Sequence, residues 1–214
     1  MARKTKAPEE RRLEIVETSE RLFLEVGYTK CSVDMIIKEI GVAKGTFYYY
    51  FKSKEEILGA IVDRNLDQIV AQAGELANEP TLTAMEKMAM LLGNTHIGDE
   101  NTREIAEMMH LPENREMHEL TNIQTVLRLS PVIAKIVEQG IREKVFVVKY
   151  PLETVQFLLT GAQFLLDGGL FEFSPQETQV RREVTQRTIE ISFGAPTGSF
   201  DFMNPDLKGK ENNE

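Results

Sequence analysis

Between Ser32 and Lys54 the chain reads SVDMIIKEIGVAKGTFYYYFKSK, an order of residues that few folds accommodate. Val33, Ile36, Ile37 and Ile40 recur at helical spacing behind Ser32, whose hydroxyl can cap the free N–H groups of a first turn. Gly41 interrupts the pattern, and a second short segment, from about Ala43 to Tyr49, follows at once. Two short helices joined by a glycine-containing turn outline a helix-turn-helix. The second helix carries Lys44, Gly45, Thr46 and the consecutive tyrosines Tyr48, Tyr49 and Tyr50, a set of ammonium and hydroxyl donors suited to phosphate oxygens. Gly45 costs a helix about 1 kcal/mol relative to alanine. A bare backbone there points to close approach by a partner. Phe47 and Phe51 read as scaffold. Three successive helical residues cannot share one face, and of the tyrosines Tyr50 is the first candidate to pack inward.

Charge distribution supports a nucleic-acid reading that the total would oppose. The 214 residues carry a net charge of -9. Residues 1–54 hold 11 Lys/Arg against 8 Asp/Glu, and the remainder 14 against 26, so a mildly basic head precedes an acidic body. Arg3, Lys4, Lys6, Arg11 and Arg12 form a basic arm, either a solvated tail or an added phosphate or minor-groove contact. No apolar run approaches the ~18 residues of a membrane span. The start, MARKTKAPEERR, has no apolar region behind it, so no secretory signal is expected. The single cysteine, Cys31, excludes an intramolecular disulfide, fits a reducing cytoplasm and is expected to be buried and inert.

The pattern elsewhere is helical, and the expected fold class is all-α. A first helix runs from Pro8, well suited to an N1 position, to Val26, with Gly27 as its stop. Ser53-x-x-Glu56 opens a long helix to about Ala77 that joins head to body. Asn78-Glu79-Pro80 breaks it and Thr83-x-x-Glu86 begins the next, ending near Gly98. Further helices are expected over 102–110, from beyond Pro112 to Leu129, from Ser130-Pro131 to Ile141, from Pro151 to Gly168, and from Ser174-Pro175 to Phe193. The division expected is a three-helix DNA-binding head with its basic arm (1–54), a helical effector-binding and dimerisation body (55–193) and a disordered tail (194–214).

The run GVAKGTFYYYFKSKEEIL, preceded by LFLEVGYTKCSV, resembles the signature of the tetracycline-repressor (TetR) family of bacterial transcriptional regulators over about residues 10–60. Ala43 departs from the serine frequent there, removing a phosphate donor, and Ile37 and Ile40 replace smaller residues. The resemblance implies that Lys44, Gly45 and Thr46 face base edges or adjoining backbone. It also implies that Tyr48, Tyr49 and Tyr50 lie along phosphates, and that Lys54 and the Ser32 hydroxyl reach the backbone. It implies further that the last two helices dimerise as a four-helix bundle. The residue pattern agrees, because the helix beyond Pro151 is apolar on more than one face and needs cover on both sides. The interface residues expected are Val155, Leu158, Leu159, Ala162, Leu166, Val180, Val184 and Ile191.

Methionines gather in the middle of the chain, as ordinary core or as the wall of a plastic pocket for an apolar effector. Candidate pocket residues are Met88, Asn94, His96, Met109, Gln124, Gln156, Thr160 and Gln163. His110 and His118, near Glu113 and Glu119, lack a tight ligand spacing, so neither metal nor cofactor is expected. Phosphate loops and nucleophile elbows are absent from the sequence, which excludes the commonest enzyme classes. The function expected is a homodimeric repressor released from a palindromic double-stranded operator by a small molecule of unknown identity. The alternative is an activator or ligand-independent regulator of the same fold.

Overall fold

The computed structural model describes residues 7–93, 110–166 and 170–204. They form eight α-helices: α1 (Pro8–Val26), α2 (Val33–Ile40), α3 (Lys44–Tyr50), α4 (Lys54–Asn78), α5 (Ala84–Gly93), α6 (Arg115–Arg142), α7 (Pro151–Leu166) and α8 (Pro175–Phe193). No strand occurs among the described residues. The helix expected over 102–110 lies outside them.

Two compact units divide the described residues, one of 7–67 and 110–121 and one of 68–93, 122–166 and 170–204. The first unit is the head. Ile15, Val16, Leu22 and Phe23 of α1, Ile36 of α2, Phe47 of α3 and Phe51 close on Ile57, Leu58, Ile61, Val62 and Leu66 of α4. The head thus extends past residue 54, because half of α4 is needed to cover its core. It also takes in Met117, buried in that core, and Leu120 packed against it. Arg64 of α4 pairs with Glu20 and with Glu17 of α1 at its rim.

The second unit is the body, built on Met88, Ile133, Ile136, Val137, Phe146, Val155, Ile189 and Phe193. Phe146 lies flat against bare backbone: a Cβ at Gly140 would sit 2.1 Å from its ring. Lys87, almost fully buried, donates to the Ala77 carbonyl and to Gln139 Oε1, both at 2.8 Å, tying α4, α5 and α6 together.

Two expectations are corrected. Ser130-Pro131 does not restart a helix, since Pro131 lies inside the 28-residue α6. The hydrogen bond that proline forfeits would have ended on the carbonyl of Leu127, and the helix continues through the loss of that one bond. The stretch after Gly194 is also ordered as far as Asn204, with Phe200 fully buried against Phe146, Phe193 and Phe202.

Candidate DNA interface and ligand cavity

Helix α3 is held by one face. Phe47 is fully buried and Tyr50 packs on the head core, while Lys44, Gly45, Thr46, Tyr48 and Tyr49 are exposed, Tyr49 at 73%. The inward turn expected of one tyrosine therefore falls on Tyr50, whose ring meets Tyr49 edge-on at 5.0 Å. Lys44 reaches Asp34 at 3.2 Å, and that hydrogen bond raises its pKa. Both side chains are open to solvent, so the pair is weak and exchangeable. No atom lies within 4 Å of where a Gly45 Cβ would stand, so the fold itself does not require glycine there. Ser32 caps α2, its Oγ accepting from the Met35 N–H at 3.2 Å, which leaves the hydroxyl proton free to donate.

Lys54 is placed differently from the backbone-contact role expected of it. Its ammonium donates to the carbonyls of Tyr28 (2.7 Å) and Cys31 (3.3 Å) and stands 4.1 Å above the Tyr28 ring. Two of its three donors thus brace the turn between α1 and α2, and only one is left for a phosphate. Cys31 beside it is buried, which pushes its thiol pKa up and makes it a poor nucleophile. Burial also pushes the Tyr28 phenol up to about 12, with Glu55 and Glu116 adding to the shift.

That turn has a second brace, one not read from the sequence. Residues 112–114 form a 3₁₀ turn, and the fully buried Asn114 accepts from the Tyr28 N–H through Oδ1 at 2.7 Å. The Glu113 carbonyl accepts from the N–H and hydroxyl of Thr29, each at 3.1 Å, and its carboxylate meets Lys30 at 2.6 Å. That ion pair holds the Glu113 carboxyl below its usual range. Contacts 84 residues apart leave no local signature, and the only hint was a buried-type turn, Pro-Glu-Asn, before an apolar helix. His110 and His118 meet edge-on with ring centroids 5.0 Å apart. Among the described residues no three His, Cys, Asp or Glu side chains form a group able to hold a metal.

The body has a half-open cavity of about 300 Å³ between α7 and α8. Its walls are Leu92, Ile133, Val155, Leu158, Leu159, Ala162, Leu166, Ile189, Phe193 and Met203, with Arg182, Thr185 and Asn204 as the polar members. A second, of about 250 Å³, lies between α6 and α7 and includes Thr160 and Gln163. There Gln163 donates to Asn122 Oδ1 at 2.9 Å, and its own buried Oε1 accepts no hydrogen bond.

Comparison with known proteins agrees with this architecture. Residues 15–61 match the family described as bacterial regulatory proteins, tetR family, and residues 97–186 match the tetracyclin repressor-like C-terminal domain. The chain belongs to the TetR family. Among curated relatives it is 30% identical over 113 residues to the fatty acid metabolism regulator protein of Bacillus subtilis (strain 168), covering 51% of this chain and 58% of that one. It is 32% identical over 114 residues to the transcriptional regulator TtgR of Pseudomonas putida, covering 51% and 54%. The chain thus spans little more than half the length of these relatives. The fold is also that of SmeT, the repressor of the Stenotrophomonas maltophilia multidrug efflux pump SmeDEF (TM-score 0.61, 20% identity, 88% of this chain and 92% of that one).

Within this TetR-family body the structure redistributes the expected site residues. Val155 is buried, and Leu158, Leu159, Ala162 and Leu166, each part-exposed, line the larger half-open cavity of the protomer. Val180, Val184 and Ile191 do stand exposed on α8, and the exposed apolar side chains of α7 are Phe157, Phe164 and Leu165. On α7 the polar residues Glu153, Gln156, Thr160 and Gln163 share one face, and Phe157 and Phe164 border it. Of the expected pocket residues, Thr160 and Gln163 line the smaller cavity, Met88 is sealed in the core, and Gln124 and Gln156 line neither cavity. Asn94, His96 and Met109 lie outside the described residues.

Proposed function

We propose that this chain is a homodimeric DNA-binding transcriptional regulator, a repressor released from a palindromic operator by a small, largely apolar effector. The observation that carries the reading is the outward face of α3. Lys44, Thr46, Tyr48 and Tyr49 project from a helix locked at Phe47, and Gly45 leaves the backbone bare between them. Donors to phosphate fix the register of such a helix on a duplex, and a second head one DNA turn away multiplies the affinity. The relatives support regulation as the role, and SmeT, solved as a complex with triclosan, binds an apolar small molecule. No described helix is long and apolar enough to cross a membrane, and we place the protein with its operator in the cytoplasm.

Release follows if the effector favours one of two conformations and the operator the other. Helix α6 is the element suited to linking them. Its first turns carry Met117 of the head core and its later ones carry Ile133 of the cavity wall.

Selecting the operator from random duplexes and titrating variants against it tests the reading. Lys44→Ala and Tyr48→Phe are expected to weaken binding at least about 10-fold, consistent with losses of ~1–3 kcal/mol per recognition contact, with thermal unfolding unchanged. Binding equal to wild type would remove the assignment of α3. Gly45→Ala separates folding from recognition: the head gains about 1 kcal/mol of helix stability, while operator affinity falls. A variant that binds as well as wild type would show that the bare backbone has no role in recognition. Promoter output with and without the protein distinguishes repression from activation.

A further inference from the structure

Beyond Gly194 the chain turns back on α8. The turn uses the left-handed conformation of Gly194 (φ 62°), and its N–H bonds to the carbonyls of Glu190 and Ile191. Residues 195–204 then run along α8 toward its start, meeting it one turn at a time. The N–H groups of Gly198 (2.8 Å) and Phe200 (3.2 Å) donate to Glu190 Oε1, Gln186 donates to Asp201 at 3.0 Å, and the Asn204 amide donates to Gln186 Oε1 at 2.7 Å. Glu190 is 1% exposed, and a carboxylate so placed is stable only with its acceptors satisfied. Burial alone would raise its pKa, yet the donors from Phe200, Arg187, Gln186 and Gly198 outweigh that and hold it low. Phe200, fully buried among Phe146, Phe193 and Phe202, is a second anchor.

The end of this strap, Met203 and Asn204, lies in the wall of the larger cavity. The cavity lining is apolar apart from Arg182, Thr185 and Asn204. Ile133, Val155, Ile189 and Phe193 belong to the apolar part, whereas Arg182 and Thr185 come from the first half of α8, where Asn204 also bonds to the Arg182 carbonyl at 3.4 Å.

We propose that residues 195–204 are a built-in wall of the effector site, latched by Glu190, with Met203 setting the size of ligand accepted. The ligand class is an elongated apolar molecule with one anionic or hydrogen-bond-accepting end, the apolar part along Val155 and Ile189 and the polar end beside Arg182 and Thr185. This rests on reading the cavity as the effector site. Nothing in the head takes part.

The test uses 1-anilinonaphthalene-8-sulfonate, an apolar dye with an anionic end, titrated by fluorescence into the full chain and into Met203→Trp, Met203→Ala, Ala162→Trp and Glu190→Ala variants whose circular dichroism matches wild type. Ala162→Trp fills the cavity from α7 and reports on the cavity itself. Met203→Trp fills it from the strap and is expected to lower dye affinity at least about 10-fold, because the filled site no longer buries the apolar part of the dye. Met203→Ala is expected to shift preference toward bulkier ligands, seen as stronger displacement of the dye by dodecanoate than by octanoate compared with wild type. Glu190→Ala is expected to speed dye dissociation in stopped flow and amide exchange at Gly198 and Phe200. If Ala162→Trp abolishes dye binding and both Met203 variants bind and discriminate as wild type, the strap is overturned and the cavity reading stands. If Ala162→Trp and Met203→Trp both bind dye as wild type, the cavity reading fails and the strap proposal with it.

Discussion

Replacing Gly27 with alanine is expected to cost the head about 3–5 kcal/mol, most of the stability of a domain at the low end of the usual ~5–15 kcal/mol. Two independent effects add at this residue. Its backbone sits at φ 95°, a conformation that strains any side chain by ~1–3 kcal/mol. A Cβ added there would also lie 2.6 Å from Glu113 Cβ. Glu113 cannot simply retreat, because its carbonyl accepts both Thr29 donors and its neighbour Asn114 holds the Tyr28 N–H. Moving the segment breaks the buried bond from the Tyr28 N–H to Asn114, at ~1–3 kcal/mol, while the Thr29 donors are exposed and can turn to water. Gly59→Ala is the internal control, since nothing lies within 4 Å of its Cβ and its φ is ordinary. It should be neutral or stabilising by up to about 1 kcal/mol. Amide exchange separates the outcomes: Gly27→Ala loses protection across α1–α3 and keeps it in the core of α7 and α8. Protection in α1–α3 equal to wild type would mean that the 113–114 brace yields without cost and does not hold the turn.

The sequence made the glycine legible but not its neighbour. Pro8 and Gly27 bound α1 at the residues expected, and Ser32 and Ser174 cap α2 and α8 through their hydroxyls. These features are local, encoded within a turn of where they act. The brace from Asn114 is not local: asparagine in a turn is common, and only the fold reveals that its amide fills the place of a missing backbone partner. The strap was hidden for another reason. Averaged over 194–214 the composition is Gly, Pro, Asn and charge, but SFDFM within it concentrates Phe200, Phe202 and Met203, and five residues suffice to anchor a chain to a core. Lys54 illustrates a third limit, since a lysine following an aromatic-rich helix has the same signature whether its ammonium meets a phosphate or two carbonyls. The exposed aromatics of α7, Phe157 and Phe164, are not among the interface residues expected, because they border the polar stripe of Glu153, Gln156, Thr160 and Gln163 and not the centre of the apolar face.

Those exposed side chains lead to the second large effect. With Val155 buried and Leu158, Leu159, Ala162 and Leu166 turned to the cavity, the uncovered apolar residues of the last two helices are Phe157, Phe164 and Leu165 on α7 and Val180, Val184 and Ile191 on α8. On α8 they repeat at four and seven residues, the stripe of a helix that meets another helix. A two-fold axis through such a face presents every substitution twice, so one carboxylate in the monomer becomes a like-charged pair in the dimer. Val184, 58% exposed and central in its stripe, is the position where this acts with least harm to the protomer. Val184→Glu is expected to give a folded monomer by analytical ultracentrifugation. Its affinity for a duplex bearing two half-sites should fall by roughly 10²–10⁴, the gain that linking two binding modules supplies. Its affinity for a single half-site should match wild type, because the head is untouched. Val155→Glu provides the contrast: a carboxylate forced into the body core unfolds the protomer instead of dividing the dimer. A Val184→Glu protein that remains dimeric at micromolar concentration would place the interface elsewhere, and the spacing of the two heads would then have to come from some other face.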